Sequence, residues 1–282
     1  MTTKILSGHI ARKEIIDKLQ KKIQSFSRTL RMDIILIGEN PASEVYVETK
    51  MKLAQKLGVE CFIHKFFDTV SEQEILKVMN ALNKNSHVDG YIVQLPLPAH
   101  ISLEKIVKTI DPLKDIDGFS YQNTGMLYHD VSPDQYLRPA TGDAVIALLQ
   151  AYNISVSGKN IVVIGKGFIV GKPIALMLLE EGATVTICHD ATKNLSHFTK
   201  SADIIVSATG VKHLITSDMI SKGTILIDVG FTKIGDTLFG DIDPNCIKKA
   251  SYISPVPGGV GPLTVTMLLV NLVKAYTLSH NA

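Results

Sequence analysis

The chain has 282 residues, 45% of them hydrophobic and 20% charged, which is enough to bury a large core and to form two domains. Its 29 basic and 27 acidic residues leave a net charge of +2, excluding the broad basic footprint of a nucleic-acid or anionic-membrane binder. Cys61, Cys188 and Cys246 are scattered and contain no Cys-x-x-Cys pair, so no disulfide framework or zinc site is expected, and a reducing compartment is.

The N-terminus, Met1-Thr2-Thr3-Lys4-Ile5-Leu6-Ser7-Gly8, lacks the apolar core of a signal peptide, and export is not expected. Helical periodicity over residues 9–26, 43–57 and 72–83 flanks strand-like runs at 33–37, 60–66 and 90–93, which reads as a first α/β unit. Residues 111–141 are rich in Pro, Gly, Asp and Tyr with weak periodicity, the composition of a linker or cleft wall. A second series follows, with strand-like runs at 161–164, 184–188, 204–207 and 225–229 separated by helical or turn segments. The apolar stretch 263–278 contains Asn271 and Lys274 and falls short of the about 20 apolar residues of a membrane span, so it reads as a buried C-terminal helix.

Five segments carry chemistry. In the pattern over residues 41–57, Tyr46, Val47, Met51, Leu53, Ala54 and Leu57 form one apolar arc at about 100° per residue, and Lys50 falls inside it. A desolvated ammonium there is pulled towards a useful acid/base range; the alternative is a lysine that snorkels past the rim. The run at 88–93 leads into Gln94-Leu95-Pro96-Leu97-Pro98, which sets an amide at a strand's carboxyl end, in position to orient Lys50. Asp115-Ile116-Asp117-Gly118 places two acids beside a glycine, either to pair with an amino-heterocycle or simply as an Asp-Gly turn.

The run at 161–164 ends in Gly165-Lys166-Gly167-Phe168-Ile169-Val170-Gly171-Lys172-Pro173 and enters a helical pattern at 174–181, the outline of a dinucleotide site. The Gly-x-Gly-x-x-x-Gly spacing is one residue longer than the usual fingerprint, and a structural βα turn fits it as well. Before the last helix, Ser254-Pro255-Val256-Pro257-Gly258-Gly259-Val260-Gly261-Pro262 is a stiff, side-chain-poor loop whose backbone can approach a flat ligand.

With these segments in this order, the chain closely resembles the bifunctional methylenetetrahydrofolate dehydrogenase/methenyltetrahydrofolate cyclohydrolase family. The resemblance rests on Pro41-Ala42-Ser43 with Tyr46-x-x-x-Lys50, Gln94-Leu95-Pro96-Leu97-Pro98, Lys114-Asp115-Ile116-Asp117-Gly118, Ile169-Val170-Gly171-Lys172-Pro173, Ile227-Asp228-Val229-Gly230 and Pro255-Val256-Pro257-Gly258-Gly259-Val260-Gly261-Pro262. It implies an α/β fold of two domains: a folate-binding catalytic domain at 1–140, joined by the C-terminal helix 263–282, and a Rossmann-like NAD(P)-binding domain with a parallel sheet at 141–262.

The activity it implies is oxidation of methylenetetrahydrofolate to methenyltetrahydrofolate with a nicotinamide cofactor, followed by hydrolysis to formyltetrahydrofolate. By the same resemblance Lys50 is the acid/base residue, Gln94 tunes it, Tyr46 stacks on the folate and Asp117 holds the pterin. Leu95, Pro96, Pro257, Gly258 and Gly259 line the substrate, while Gly165, Lys166, Gly167, Gly171, His189, Asp190 and Phe231 receive the cofactor. A cytoplasmic homodimer is implied, with tetrahydrofolate derivatives as ligands and neither nucleic acid nor membrane as a partner.

The chain departs from the family at three places. The usual Pro-Cys-Thr-Pro-x-Gly is here Pro139-Ala140-Thr141-Gly142-Asp143-Ala144; Lys166 and Gly167 stand where Arg and Ser are common; and Asp190 follows His189 where Ser, Thr or a basic residue is common. Family habit implies NADP, but an acid at the end of the second strand suits the ribose of NAD, while Lys166 attracts a phosphate. Two other readings stay open from the residues: a dehydrogenase of another small substrate on the same plan, and a catalytically silent binding protein.

Overall fold

The computed structural model describes residues 2–280, apart from the side chain of Ala42. In chain order the elements are β1 (Lys4–Ile5), α1 (Gly8–Ala11), α2 (Lys13–Gln24), β2 (Arg31–Ile37), α3 (Pro41–Lys56), β3 (Glu60–Phe66), α4 (Glu72–Lys84), β4 (Gly90–Val93), α5 (Leu103–Thr109), α6 (Tyr121–Tyr128) and α7 (Ala140–Ala151). There follow β5 (Asn160–Ile164), α8 (Gly171–Glu180), β6 (Thr184–Cys188), α9 (Leu195–Ser201), β7 (Ile204–Ser207), β8 (Ile225–Asp228), β9 (Phe231–Ile234), β10 (Thr237–Gly240), a 3-10 turn at Pro244–Lys248, β11 (Tyr252–Ile253) and α10 (Val260–His280). The chain divides into two compact units, one of Ile15–Ala140 with Val265–Ala282 and one of Met1–Glu14 with Thr141–Thr264.

The first of these is built on a parallel sheet of order β3-β2-β4. The central strand β2 is buried on both faces, which explains the apolar run at 34–37. Helices α4 and α5 cover Ile35 and Ile37 with Ile75, Met79, Leu82 and Ile106. Asp33 interrupts the apolar run of β2 and is fully buried, held by Arg31 Nε at 2.7 Å and by His64 Nε2 at 2.6 Å. The expected helix at 9–26 is split at Arg12 into α1 and α2. The region read as a linker contains a helix, α6, nucleated by Ser120, whose side chain accepts from Asn123 N. Helix α10 has the length and apolar composition of a membrane span, but it is mostly buried, and Asn271 Nδ2 donates to Ile116 O and Arg138 O at 2.8 and 2.7 Å. It is therefore a core helix of this unit along its later turns.

The second unit is built on a six-stranded sheet of order β1-β11-β8-β7-β5-β6, parallel at every pairing. From β5 the chain moves outward to β6, then crosses back to β7 on the other side, so the order reverses between β5 and β7. Open α/β sheets bind ligands at the carboxyl ends of the strands flanking such a reversal. Residues 2–14, expected with the first domain, belong here because β1 pairs with β11, with Lys4 opposite Tyr252 and Ile5 opposite Ile253. A two-residue strand carries no periodicity that a sequence reading can detect. The antiparallel hairpin β9-β10, turning at Gly235 with φ +58°, was also not anticipated.

The altered segment at 139–144 opens helix α7. A Cβ at Gly142 would lie 2.2 Å from Met177 Sδ, so in this chain the glycine lets α7 pack closely against α8.

Candidate active site

Helix α3 presents Tyr46 and Lys50 one turn apart on the same side. Val47, Leu53, Ala54 and Leu57 are buried, which confirms the apolar arc, while Lys52 and Lys56 are exposed. Lys50 does not snorkel away from the arc: its Nζ donates to Gln94 Oε1 at 2.9 Å. Gln94 follows β4, its backbone N–H donates to Ile35 O at 2.9 Å, and its Nε2 donates to Leu95 O at 2.7 Å. With the amide nitrogen committed to Leu95, the carbonyl oxygen must face the lysine. Ser43 Oγ donates to the same Leu95 oxygen at 3.4 Å, and the Leu95–Pro96 peptide is cis.

Asp115 and Asp117 have different tasks. Asp115 is sealed from solvent and accepts from Gly118 N at 3.0 Å, Ser120 N at 2.6 Å and Asn123 Nδ2 at 3.0 Å. It shapes the turn, in which Gly118 adopts φ +76° and no side chain fits, because a Cβ would meet Arg138 O at 2.2 Å. Asp117 is partly buried and electrostatically coupled to Lys50. Desolvation pushes its carboxyl up to about 6, with the Asp115 charge adding to the rise and Lys50 opposing it. Desolvation also pulls the Lys50 ammonium below the usual lysine range, opposed by Asp117 and Cys61. By accessible surface both residues keep some exposure, which leaves the pair open to a ligand. Burial raises the Tyr46 phenol above its ordinary value. The arrangement combines a proton-handling amine, an amide that orients it and an acid able to pair with N–H donors.

The other unit carries the remaining expected residues. Gly165, at φ +116°, follows β5, and its N–H donates to Cys188 O at 2.8 Å. A Cβ there would lie 2.4 Å from Ala208 O, and one at Gly171 would lie 1.9 Å from Gly165 O, so these glycines permit close packing of strand and helix. A Cβ at Gly167 meets nothing within 4 Å, leaving that face of the loop open beside the N-terminus of α8. This is the backbone cradle and dipole end that a pyrophosphate requires, and the residues present fit a dinucleotide.

At the end of β6, Lys166 Nζ lies 3.4 Å from both His189 Nδ1 and Asp190 Oδ1. His189 Nδ1 accepts from Ala191 N at 3.2 Å, so the ring is not a donor to Asp190 through that atom. Asp190 is 86% exposed and Lys166 54%, so both are available to a ribose or its phosphate. Phe231 opens β9 and is exposed. Pro257, Gly258 and Gly259 also belong to this unit, in a loop against α1, where Gly8 N donates to Gly258 O at 2.9 Å. Sequence reasoning missed the buried pair Asp228 and Asp241; Asp228 stands in a quoted motif, but nothing in its spacing reveals a partner 13 residues later.

Two family models match: the tetrahydrofolate dehydrogenase/cyclohydrolase catalytic domain over residues 6–117, and the NAD(P)-binding domain of the same name over residues 139–280. The chain is 43% identical to the bifunctional protein FolD of Aquifex aeolicus, over 96% of this chain and 94% of the relative. It superposes on the crystal structure of the bifunctional enzyme FolD from Campylobacter jejuni with a TM-score of 0.93 and 40% identity, covering 99% and 100% of the two chains. The Trypanosoma brucei enzyme, solved in complex with NADP cofactor and inhibitor, gives a TM-score of 0.92 at 33% identity, covering 99% of each chain. A shikimate dehydrogenase from Aquifex aeolicus, at 13% identity and a TM-score of 0.54, shares the fold alone. Two matching domain models and near full-length relatives above 40% identity carry the conclusion that the chain belongs to the tetrahydrofolate dehydrogenase/cyclohydrolase family.

Proposed function

We propose that this protein oxidises 5,10-methylenetetrahydrofolate to 5,10-methenyltetrahydrofolate with NADP and hydrolyses the product to 10-formyltetrahydrofolate. The observation that carries the reading is the bond from Lys50 Nζ to Gln94 Oε1 beside Asp117, on the framework of a family whose members are named for both reactions. When bound, NADP supplies the hydride acceptor. The protein's own part in that step is alignment of two flat rings, with Asp117 accepting from N–H donors of the pterin and Tyr46 packing against it.

Hydrolysis places heavier demands on side chains. Water adds to the cationic methenyl carbon, and the neutral amine of Lys50 takes a proton from it. A proton then returns to the departing ring nitrogen as its bond to that carbon breaks, and one proton is released overall. Gln94 fixes the direction of the lysine lone pair for both transfers. Desolvation, by pulling the Lys50 pKa below the ordinary lysine value, makes the neutral amine easier to reach.

A cytoplasmic homodimer is part of the same proposal: three unpaired cysteines, of which Cys188 and Cys246 are buried, support a reducing compartment, and the dimer rests on the family resemblance. The test is reduced-nicotinamide formation by the purified chain from methylenetetrahydrofolate, with NADP and NAD in parallel, followed by decay of methenyltetrahydrofolate absorbance. Turnover with NADP and enzyme-dependent decay are expected; absence of both with folded protein rejects the reading in favour of another substrate or a silent binding protein.

A further inference from the structure

Within the nucleotide unit, the carboxyl groups of Asp228 and Asp241 are buried and joined through backbone. Asp228 Oδ1 and Oδ2 accept from Asp241 N at 3.1 Å and Ile242 N at 3.0 Å. Asp241 Oδ2 accepts three hydrogen bonds: from Ser207 Oγ at 2.8 Å, Thr209 N at 2.7 Å and Thr209 Oγ1 at 2.9 Å. Its other oxygen, Oδ1, is buried and has no hydrogen-bond partner. Keeping such a carboxylate out of water is costly, so the site must return something for it.

What it holds is the backbone at the β5/β7 reversal. Ser207 ends β7, Ala208 N donates to Ile164 O at 2.8 Å, and Ala208 O lies against Gly165, the first glycine of the phosphate turn. On the far side, Val229 N and Gly230 N donate to Ser207 O at 2.8 and 3.0 Å. A Cβ at Gly230 would fall 2.2 Å from the Asp241 carboxylate, and one at Gly240 would fall 2.0 Å from that of Asp228. The two glycines therefore exist to admit the acids. Asp228 N donates in turn to Ser254 Oγ at 2.7 Å, the residue that begins the Pro255 to Gly259 loop. Burial, with the charge of Asp241 adding to it, pushes the Asp228 carboxyl up to about 7, in keeping with a pair of acids that share their surroundings.

We propose that Asp241 is a positioning residue for the nicotinamide cofactor, fixing the segments Ser207–Gly210 and Gly230–Phe231 at the mouth of the β5/β7 crevice through its bonds to Ser207 and Thr209. It acts on the dehydrogenase step alone, because hydrolysis of the methenyl cation uses no nucleotide. The inference rests on the NADP-dependent reading above; if the unaltered chain failed to bind NADP, that reading would fail and this one would not be at issue.

The test is titration of NADP by calorimetry, with cyclohydrolase rate measured on the same preparations. Asp241→Ala is expected to raise the NADP dissociation constant at least about tenfold, with a much smaller loss of hydrolysis, since a misplaced nucleotide-binding surface costs NADP affinity while Lys50, Gln94 and Asp117 lie in the other unit. Asp241→Asn, which retains an acceptor towards Thr209, is expected to recover most of the affinity. An alanine variant that melts normally and binds NADP within about twofold of the parent overturns the proposal. So does an asparagine variant as weak as the alanine one, which would make the charge and not the bonds responsible. If the alanine variant does not fold, Thr209→Val decides: removing one donor is expected to weaken NADP about threefold, and unchanged affinity overturns the proposal.

Discussion

Gln94 is fastened at both ends of its amide, with Nε2 on Leu95 O at 2.7 Å and Oε1 on Lys50 Nζ at 2.9 Å. A lysine held in this way has a fixed direction as well as a lowered pKa, and direction is what separates a general base from a buried charge that is merely tolerated.

The Gln94 oxygen stabilises the charged form of Lys50, so Gln94→Ala lowers the lysine pKa further. The pH profile of hydrolysis is expected to shift to lower pH, and the rate to fall about 10- to 100-fold because the amine is no longer aimed. A reduced rate with an unshifted profile would show that Gln94 acts by packing alone.

Asp117 titrates at about 6, within reach of ordinary assays. Above that pH it is ionised and accepts from the pterin, so the KM for folate is expected to rise as pH falls through 6, and Asp117→Asn is expected to flatten that dependence. Stability runs the other way. The folded-state value exceeds the unfolded value of about 3.9, so stability from this group is fully present below about 4 and is lost as pH rises through 6. Asp117→Asn should therefore raise the melting temperature at pH 8, by a gain on the order of 1–2 kcal/mol, and change it little at pH 4. Equal effects at both pH values would contradict the assignment.

The glycines of the phosphate turn separate packing from binding. Gly171→Ala places a Cβ 1.9 Å from Gly165 O and is expected to destabilise the nucleotide unit by several kcal/mol, on the order of an overpacked core. Gly167→Ala meets no protein atom within 4 Å, so its melting temperature should be unchanged while NADP affinity falls. Thermal melts with and without NADP distinguish the two, and a Gly167→Ala variant with unaltered affinity would place the phosphates elsewhere.

Cofactor choice is expected to hinge on Asp190. Its carboxylate lies 3.4 Å from Lys166 Nζ and competes with a ribose phosphate for that cation. Asp190→Ser should raise the ratio of kcat/KM for NADP over NAD about tenfold, and Lys166→Ala should lower it, each corresponding to about 1.4 kcal/mol. Paired kinetics with the two cofactors measure both.

The parallel strands β2, β5 and β7 were legible in the sequence because they are buried on both faces and read as apolar runs, interrupted in β2 only by Asp33. Lys50 was legible because one charge broke a regular arc, and its partner because Gln94 stands where a buried strand ends. Other features left no such trace. Strands β1 and β11 are two residues each, and their pairing joins positions about 250 residues apart. Helix α6 is short and depends on the Ser120 cap, so it looked like a linker. The division of labour between Asp115 and Asp117 was hidden because it depends on which carboxylate the turn folds around, a matter of three hydrogen bonds that adjacent sequence does not display. The Asp228 and Asp241 pair was hidden for the same reason.

The most direct measurement is the rate of methenyltetrahydrofolate hydrolysis by Lys50→Met, taken beside methylenetetrahydrofolate oxidation in the same preparation. Methionine keeps the apolar arc and removes the amine, so hydrolysis is expected to fall by at least about 100-fold while oxidation with NADP is reduced much less. Hydrolysis within a few-fold of the unaltered protein, in a variant that folds and still binds folate, would contradict the role assigned to Lys50.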